Sequence, residues 1–171
     1  MGIRVGILSD THGHIDEGIL RHLSECDEIW HAGDIDSPVV LDALEGLGGT
    51  VRAVHGNVDG PEIRSLAPPY QAFTVEGLRI FITHIAGYGD RMPAELLSYY
   101  QEHPFDVLVC GHTHVLKVQR MTPGSVLYIN PGACGFFGPH RVRTLLVGTL
   151  ENRRFTELSA IELGPRTPHA D

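Results

Sequence analysis

Ile3-Arg4-Val5-Gly6-Ile7-Leu8-Ser9-Asp10-Thr11-His12-Gly13 decides the fold. Residues 3–8 form an apolar run with β-branched members, the pattern of a strand buried on both faces. The run stops on Ser, Asp, Thr and His, side chains that carry chemistry rather than packing. A buried strand that ends on metal-capable side chains is the unit the rest of the chain repeats.

Downstream, Ile15, Ile19, Leu20 and Leu23 fall at helical spacing around residues 16–25, and Glu28 to His31 reads as a short second strand. Ser37 at an N-cap and Pro38 at the first helical position open a helix with Val40, Leu41, Leu44 and Leu47 on one stripe, closed by Gly48-Gly49. Thr50 to His55 is a third strand. Residues 60–70 hold Gly60, Pro61, Pro68 and Pro69 and read as a loop. A hairpin over 73–75 and 78–83, a helix over 93–102 and a buried strand over 106–110 follow. Further strands are expected at 115–120, 125–129, 142–150 and 153–162. The expected architecture is a single α/β domain over residues 1–163, with sheets stacked face to face and helices outside. Residues 164–171, with two prolines, read as a frayed tail.

Length and composition agree with one domain: 171 residues, 42% hydrophobic and only 7% aromatic, so aliphatic side chains fill most of the core. Thirteen Lys+Arg against twenty-one Asp+Glu leave a net charge of −8, which repels long nucleic acid. A small phosphorylated substrate stays allowed, because a local cation overrides a global field. Met1 runs straight into the first strand without a basic leader, and no apolar run approaches the ~18 residues that span a membrane. Cys26, Cys110 and Cys134 are odd in number and widely spaced, so a cytoplasmic protein without a disulfide framework is expected.

The informative residues follow the strands. Asp10-Thr11-His12, Gly33-Asp34, Gly56-Asn57, His84 and Gly111-His112-Thr113-His114 each come directly after an apolar run. The steps 10→34→57→84→112 are 24, 23, 27 and 28 residues, about one strand plus its return connection. Equal steps of that size bring successive strand ends to one rim of a sheet, where α/β sites form. Asp10 and His12, like His112 and His114, are two apart and would share a side of an extended chain. Aspartate, imidazole and an asparagine carbonyl form a mixed oxygen/nitrogen set that suits Mn, Fe, Zn or Ni better than Ca or Mg. Seven such ligands exceed one tetrahedral ion; with a carboxylate shared they fit two ions at roughly 3.5–4 Å, as in two-metal phosphoryl displacement.

This ordered set resembles that of the calcineurin-like metallophosphoesterases. The Ser9-to-Gly13 opening, the short length and Asn130-Pro131-Gly132 are similar to the small YfcE-type phosphodiesterase branch. The resemblance covers roughly residues 3–160 and implies a four-layer αββα sandwich. It implies that Asp10, His12 and His114 hold a first metal, that Asn57, His84 and His112 hold a second, and that Asp34 bridges both. The cofactors would be two divalent transition metal ions, Mn²⁺ foremost, with Ni²⁺, Fe²⁺, Co²⁺ or Zn²⁺ as alternatives. The reaction would be hydrolysis of a small phosphodiester by a metal-bridging hydroxide, and a homo-dimer or homo-tetramer would be in keeping with the family. Many relatives carry His after the Asn of Gly-Asn, to assist the leaving group; here that position is Val58, so no separate general acid is identified.

Other readings stand beside this one. A non-catalytic metal-binding interaction module of the same fold, or a phosphomonoesterase, is the alternative. Thr11-His12-Gly13-His14 superficially resembles the opening of amidohydrolases, but those need a barrel of ~250 residues. Asp59 reads as support behind the ligands, and His31 and His55 as support or packing. His14 reads as exposed or in contact with substrate, and His140 with Arg141 as a surface loop or as a group that reaches a phosphate. Cys110 reads as inert packing, Cys134 as the cysteine whose reactivity stays open, and His22, His103 and His169 as solvent-exposed.

Overall fold

The computed structural model describes residues 1–167. The first half alternates strand and helix: β1 (Ile3–Leu8), α1 (Glu17–Leu23), β2 (Glu28–His31), α2 (Pro38–Glu45), β3 (Thr50–Ala53) and α3 (Pro61–Leu66). Then come β4 (Tyr70–Val75), β5 (Leu78–Thr83), α4 (Ala94–Glu102) and β6 (Val107–Val109). The chain ends in β7 (Leu116–Met121), β8 (Val126–Pro131), β9 (Val142–Glu151) and β10 (Arg154–Pro165).

Two five-stranded sheets result, in the orders β10-β9-β1-β2-β3 and β4-β5-β6-β8-β7. β1, β2 and β3 run parallel, as do β5, β6 and β8, so each sheet has one rim where parallel strands end together. Strand alternation sorts the core into three layers. Val5 and Ile7 of β1, Trp30 of β2, Ile80 and Ile82 of β5, and Val107 and Val109 of β6 fill the space between the sheets. Leu8 and Ile29 face the other way and meet Ile19, Leu23, Val40 and Leu44 of α1 and α2. Phe81, Leu108 and Tyr128 do the same for the second sheet and pack with Leu96, Leu97 and Tyr100 of α4. The expected four-layer αββα sandwich is therefore the observed architecture.

The helices start where side chains can cap them. Asp16 Oδ1 accepts from Ile19 N–H at 2.9 Å, and Ser37 Oγ accepts from Val39 N–H at 3.3 Å with Pro38 behind it. Because Asp16 is the cap, α1 begins at Glu17, and it stops at Leu23 rather than reaching residue 25. The stretch 60–70 is not all loop. Pro61 sits in the first turn of α3, where a missing N–H costs nothing, and the short helix is held by burial of Ile63. The boundary expected at residue 163 also moves. β10 continues to Pro165, paired with Val142, and Arg166 donates to the Arg141 carbonyl at 2.8 Å. Residues 168–171, and with them His169, lie outside the described residues. Among the described residues no helix is long and apolar enough to cross a membrane.

Candidate metal centre

The five motifs meet at one end of the sandwich. Asp10 follows β1, Asp34 follows β2, Asn57 follows β3, His84 follows β5, and His112 and His114 follow β6. Two clusters form, Asp10 with His12 and His114, and Asp34 with His84 and His112; within each, the candidate ligand atoms lie within 4.8 Å of one another. Asp10 Oδ1 is 3.0 Å from His114 Nε2 and 3.8 Å from His12 Nε2. Asp34 Oδ2 is 3.1 Å from His84 Nε2 and 3.8 Å from His12 Nε2, so it stands between the clusters. Asn57 reaches the second cluster through Oδ1, which accepts from His112 Nδ1 at 3.0 Å and has a second lone pair to spare.

The extended-chain geometry expected for Asp10-x-His12 and His112-x-His114 is not what brings them together. Asp10, His12, Asp34, His112 and His114 all have positive φ, between 45° and 67°. Non-glycine residues seldom adopt that left-handed conformation, and such strain collects at functional sites. It persists here because the loops are cross-tied: Asp10 N–H bonds Gly33 O at 2.9 Å, and His12 N–H bonds Asp34 O at 3.0 Å. Buried Asp59 completes the tie, accepting from Ile35 N–H, Asp36 N–H and Gly56 N–H at 2.9, 2.7 and 2.7 Å. The motif glycines serve close approach. A Cβ on Gly56 would overlap Asp34 Oδ1, and one on Gly111 would overlap Ser9 Oγ.

Hydrogen bonds behind the cluster set the imidazole tautomers. His84 Nδ1 is 2.7 Å from the Ala32 carbonyl, which can only accept, so Nδ1 carries the proton and Nε2 faces the carboxylates. His140 Nε2 is 2.8 Å from the Gly135 carbonyl and must donate; its Nδ1 then accepts from His114 Nδ1 at 3.1 Å. That leaves the His114 Nε2 lone pair aimed at Asp10. His140 is only 9% exposed, which corrects its reading as a surface-loop residue. Its role was hidden because it lies 26 residues beyond its partner and outside every motif. Fully buried His31 accepts from Gly33 N–H at 3.1 Å and donates to Thr11 Oγ1 at 2.9 Å, and burial pushes its pKa down to about 4. Asn130, also buried, clasps the His112 turn by donating to Gly111 O at 3.0 Å and Thr113 Oγ1 at 2.9 Å.

Burial works against a charged Asp10, yet the contacts with His114, His84 and Ser9 hold its carboxyl below the ordinary range. Asp34 follows the same pattern through His84 and the Val58 amide. Burial would lower the His84 pKa, but Asp34 and Asp10 together raise it. Two buried carboxylates thus draw positive charge into the cluster. Asp10 Oδ1, His12 Nε2 and His84 Nε2 are buried without a hydrogen-bond partner. An unsatisfied buried carboxylate oxygen facing two unsatisfied imidazole nitrogens is costly, and a divalent cation among them removes the cost. The residues therefore fit metal ions.

Other residues fall outside the two clusters. His14 bonds Asp16 at 2.7 Å, half-buried, and His55 bonds Ala67 O at 2.9 Å. His22 and His103 are exposed, as expected. Cys134 is fully buried, its thiol pushed up to about 12 by burial, as is that of Cys110; neither is a reactive thiol.

A family model described as "Calcineurin-like phosphoesterase superfamily domain" matches residues 3–153. A probable metallophosphoesterase of Methanothermobacter thermautotrophicus is 32% identical over 139 residues, covering 75% of this chain and 76% of its own. A phosphodiesterase of Methanocaldococcus jannaschii is 28% identical over 149 residues, covering 77% and 84%. Among solved structures, the vacuolar protein sorting protein Vps29 of Entamoeba histolytica, complexed with Zn²⁺, superposes with TM-score 0.72 at 17% identity, covering 96% of this chain and all of that one (100%).

Proposed function

This chain belongs to the calcineurin-like phosphoesterase superfamily, and from that premise we propose that it is a dinuclear metal-dependent phosphodiesterase acting on small phosphodiesters. Asp10, His12 and His114 would hold one cation, Asn57, His84 and His112 the other, and Asp34 would contribute to both, with Mn²⁺ the first candidate. The observation that carries the reading is the trio of buried, unpartnered atoms on Asp10, His12 and His84 facing one another. The 28% identical relative that is itself named a phosphodiesterase supports the choice of diesters. The net charge of −8 favours a small substrate over long nucleic acid.

When bound, two divalent cations supply Lewis acidity toward the phosphoryl oxygens and lower the pKa of water. The chain's own work is to keep the ligand atoms in place. Ala32 O and His140 fix which imidazole nitrogen faces inward. The Val58 N–H holds Asp34 Oδ1 at 3.1 Å, leaving Oδ2 toward the histidines. The Val58 side chain is 46% exposed beside the centre and has no proton to give a leaving group. The rate is therefore expected to depend steeply on leaving-group pKa, with aryl diesters cut faster than alkyl ones; a flat aryl series would mean another residue supplies the proton.

A second reading, a metal-binding interaction module of the same fold, draws on the exposed Val58, Ile85, Tyr88, Val115 and Phe137, each in or near a motif loop. Hydrolysis of bis-p-nitrophenyl phosphate by chelator-stripped protein, with and without Mn²⁺, decides between them. Metal-dependent turnover that disappears in Asp34→Asn supports the diesterase. No turnover with Mn²⁺, Ni²⁺, Co²⁺ or Zn²⁺ overturns it and leaves the module or a narrow monoesterase.

A further inference from the structure

At the end of the sandwich away from the metal centre lies a cavity of about 540 Å³. It is lined by the starts of β5, β6, β8 and β10 through Leu78, Val107, Leu127 and Phe155, whereas the candidate ligands follow the ends of β5 and β6. Six residues of strand separate Leu78 from His84, about 20 Å. The volume is in the range of small-molecule sites, roughly 300–1,000 Å³.

Its chemistry is cationic in an anionic protein. Arg120, Arg153 and Arg154 line it, three of the thirteen basic residues in a chain of net charge −8. Two of these guanidinium groups are anchored by neutral carbonyls: Arg120 donates to Ser125 O at 2.9 Å and Arg153 to Gly77 O at 2.6 Å. Such anchoring orients the fork without neutralising it, and leaves further N–H groups for a ligand. Asp106, the carboxylate in the lining, bonds Arg79 at 2.8 and 3.1 Å and also feels the charge of Arg153, so it offsets one of the three lining cations in part. Glu151 stands opposite Arg154 in the β9–β10 register, at the edge of the cavity. Arg153 is held at φ 61°, at a hairpin-turn position where glycine is usual, so a strained backbone presents a charged side chain.

We propose that this cavity is a second binding site, for a small organic polyphosphate such as a nucleoside triphosphate, held by Arg120, Arg153 and Arg154 and distinct from the metal centre. Three forked cations match clustered phosphate charge, and Leu78, Leu127 and Phe155 offer an apolar wall to the organic part. The proposal does not depend on the phosphoesterase reading.

Calorimetric titration of the full chain with a non-hydrolysable ATP analogue, and separately with inorganic tripolyphosphate, tests it. Wild-type protein and Asp34→Asn should bind one equivalent alike, weakening as salt rises. Arg120→Gln and Arg154→Gln should each weaken binding roughly tenfold, the loss expected for one charge-assisted hydrogen bond. Both side chains are exposed, and thermal melting checks that the variants fold; Arg154→Lys provides a charge-retaining control with partial affinity. Tighter binding of the analogue than of tripolyphosphate assigns part of the affinity to the apolar wall. Absence of binding at millimolar concentration overturns the proposal. So does binding that survives both arginine substitutions but is lost in Asp34→Asn, since the anion would then sit on the metal centre.

Discussion

Asp10 is fully buried and its neighbour His114 leans on His140, itself 9% exposed; across the centre His112 leans on Asn57, and both of these are exposed. The two bracing hydrogen bonds are nearly equal in length, 3.1 and 3.0 Å. Their worth differs because water competes for the second pair and is excluded from the first. The Asp10 half is preorganised, whereas the His112 half is ordered partly by whatever binds it. The centre should therefore load unequally, with the Asp10–His12–His114 cluster filling first.

The largest expected effect tests Asp34, the carboxylate proposed to serve both halves. Asp34→Asn should lower turnover by roughly 10³-fold, the several kcal/mol of charge stabilisation that cations provide. A smaller loss than that of Asn57→Ala, measured at saturating Mn²⁺, would break the assignment of Asp34 to both halves.

His31 sharpens the contrast on the buried side. The unfolded chain takes up a proton on this residue below about pH 6.5, while the folded protein refuses it until about 4. Unfolding thus binds protons across that window, so stability falls as pH drops through it, by about 3 kcal/mol in total. Denaturant titrations of metal-free protein at pH 7 and 4.5 should show most of this loss. In His31→Gln the difference attributable to this residue should vanish.

His140→Ala should weaken the tighter of two Mn²⁺ binding events by about 10–100-fold, the usual cost of losing a partner behind a metal-bound histidine, and leave the other unchanged. Calorimetry resolves the two, and equal weakening of both would remove the distinction between the halves. Asn57→Ala removes a candidate ligand together with the brace of His112, and should weaken the weaker event by roughly tenfold or more while leaving the tighter one unchanged.

Much of this molecule is legible in one dimension. The strand-then-ligand unit around Asp10 recurs at Asp34, Asn57, His84 and His112, and its even spacing places all of them at parallel strand ends. Both signals are local: burial of a strand needs a run of apolar residues, and topology turns a run length into a position on the rim. The helix starts at Asp16 and Ser37 are local too, because a cap bonds residues two or three positions away. Helix α3 was obscured by its prolines and glycine, which mark loops and helix starts alike.

What only the tertiary structure decided is how the ligands are held. The left-handed backbone at five of the seven candidate ligands depends on loops from different strands bonding one another, and propensity argues against it at each residue taken singly. His140 behind His114, Asn130 across the His112 turn and Asp59 beneath three amides act over 17 to 26 residues or within tight turns, with no periodic trace. Composition and spacing determined which side chains reach the rim. Long-range hydrogen bonds, worth making only once water has been excluded, decided which nitrogen His84 and His114 turn inward.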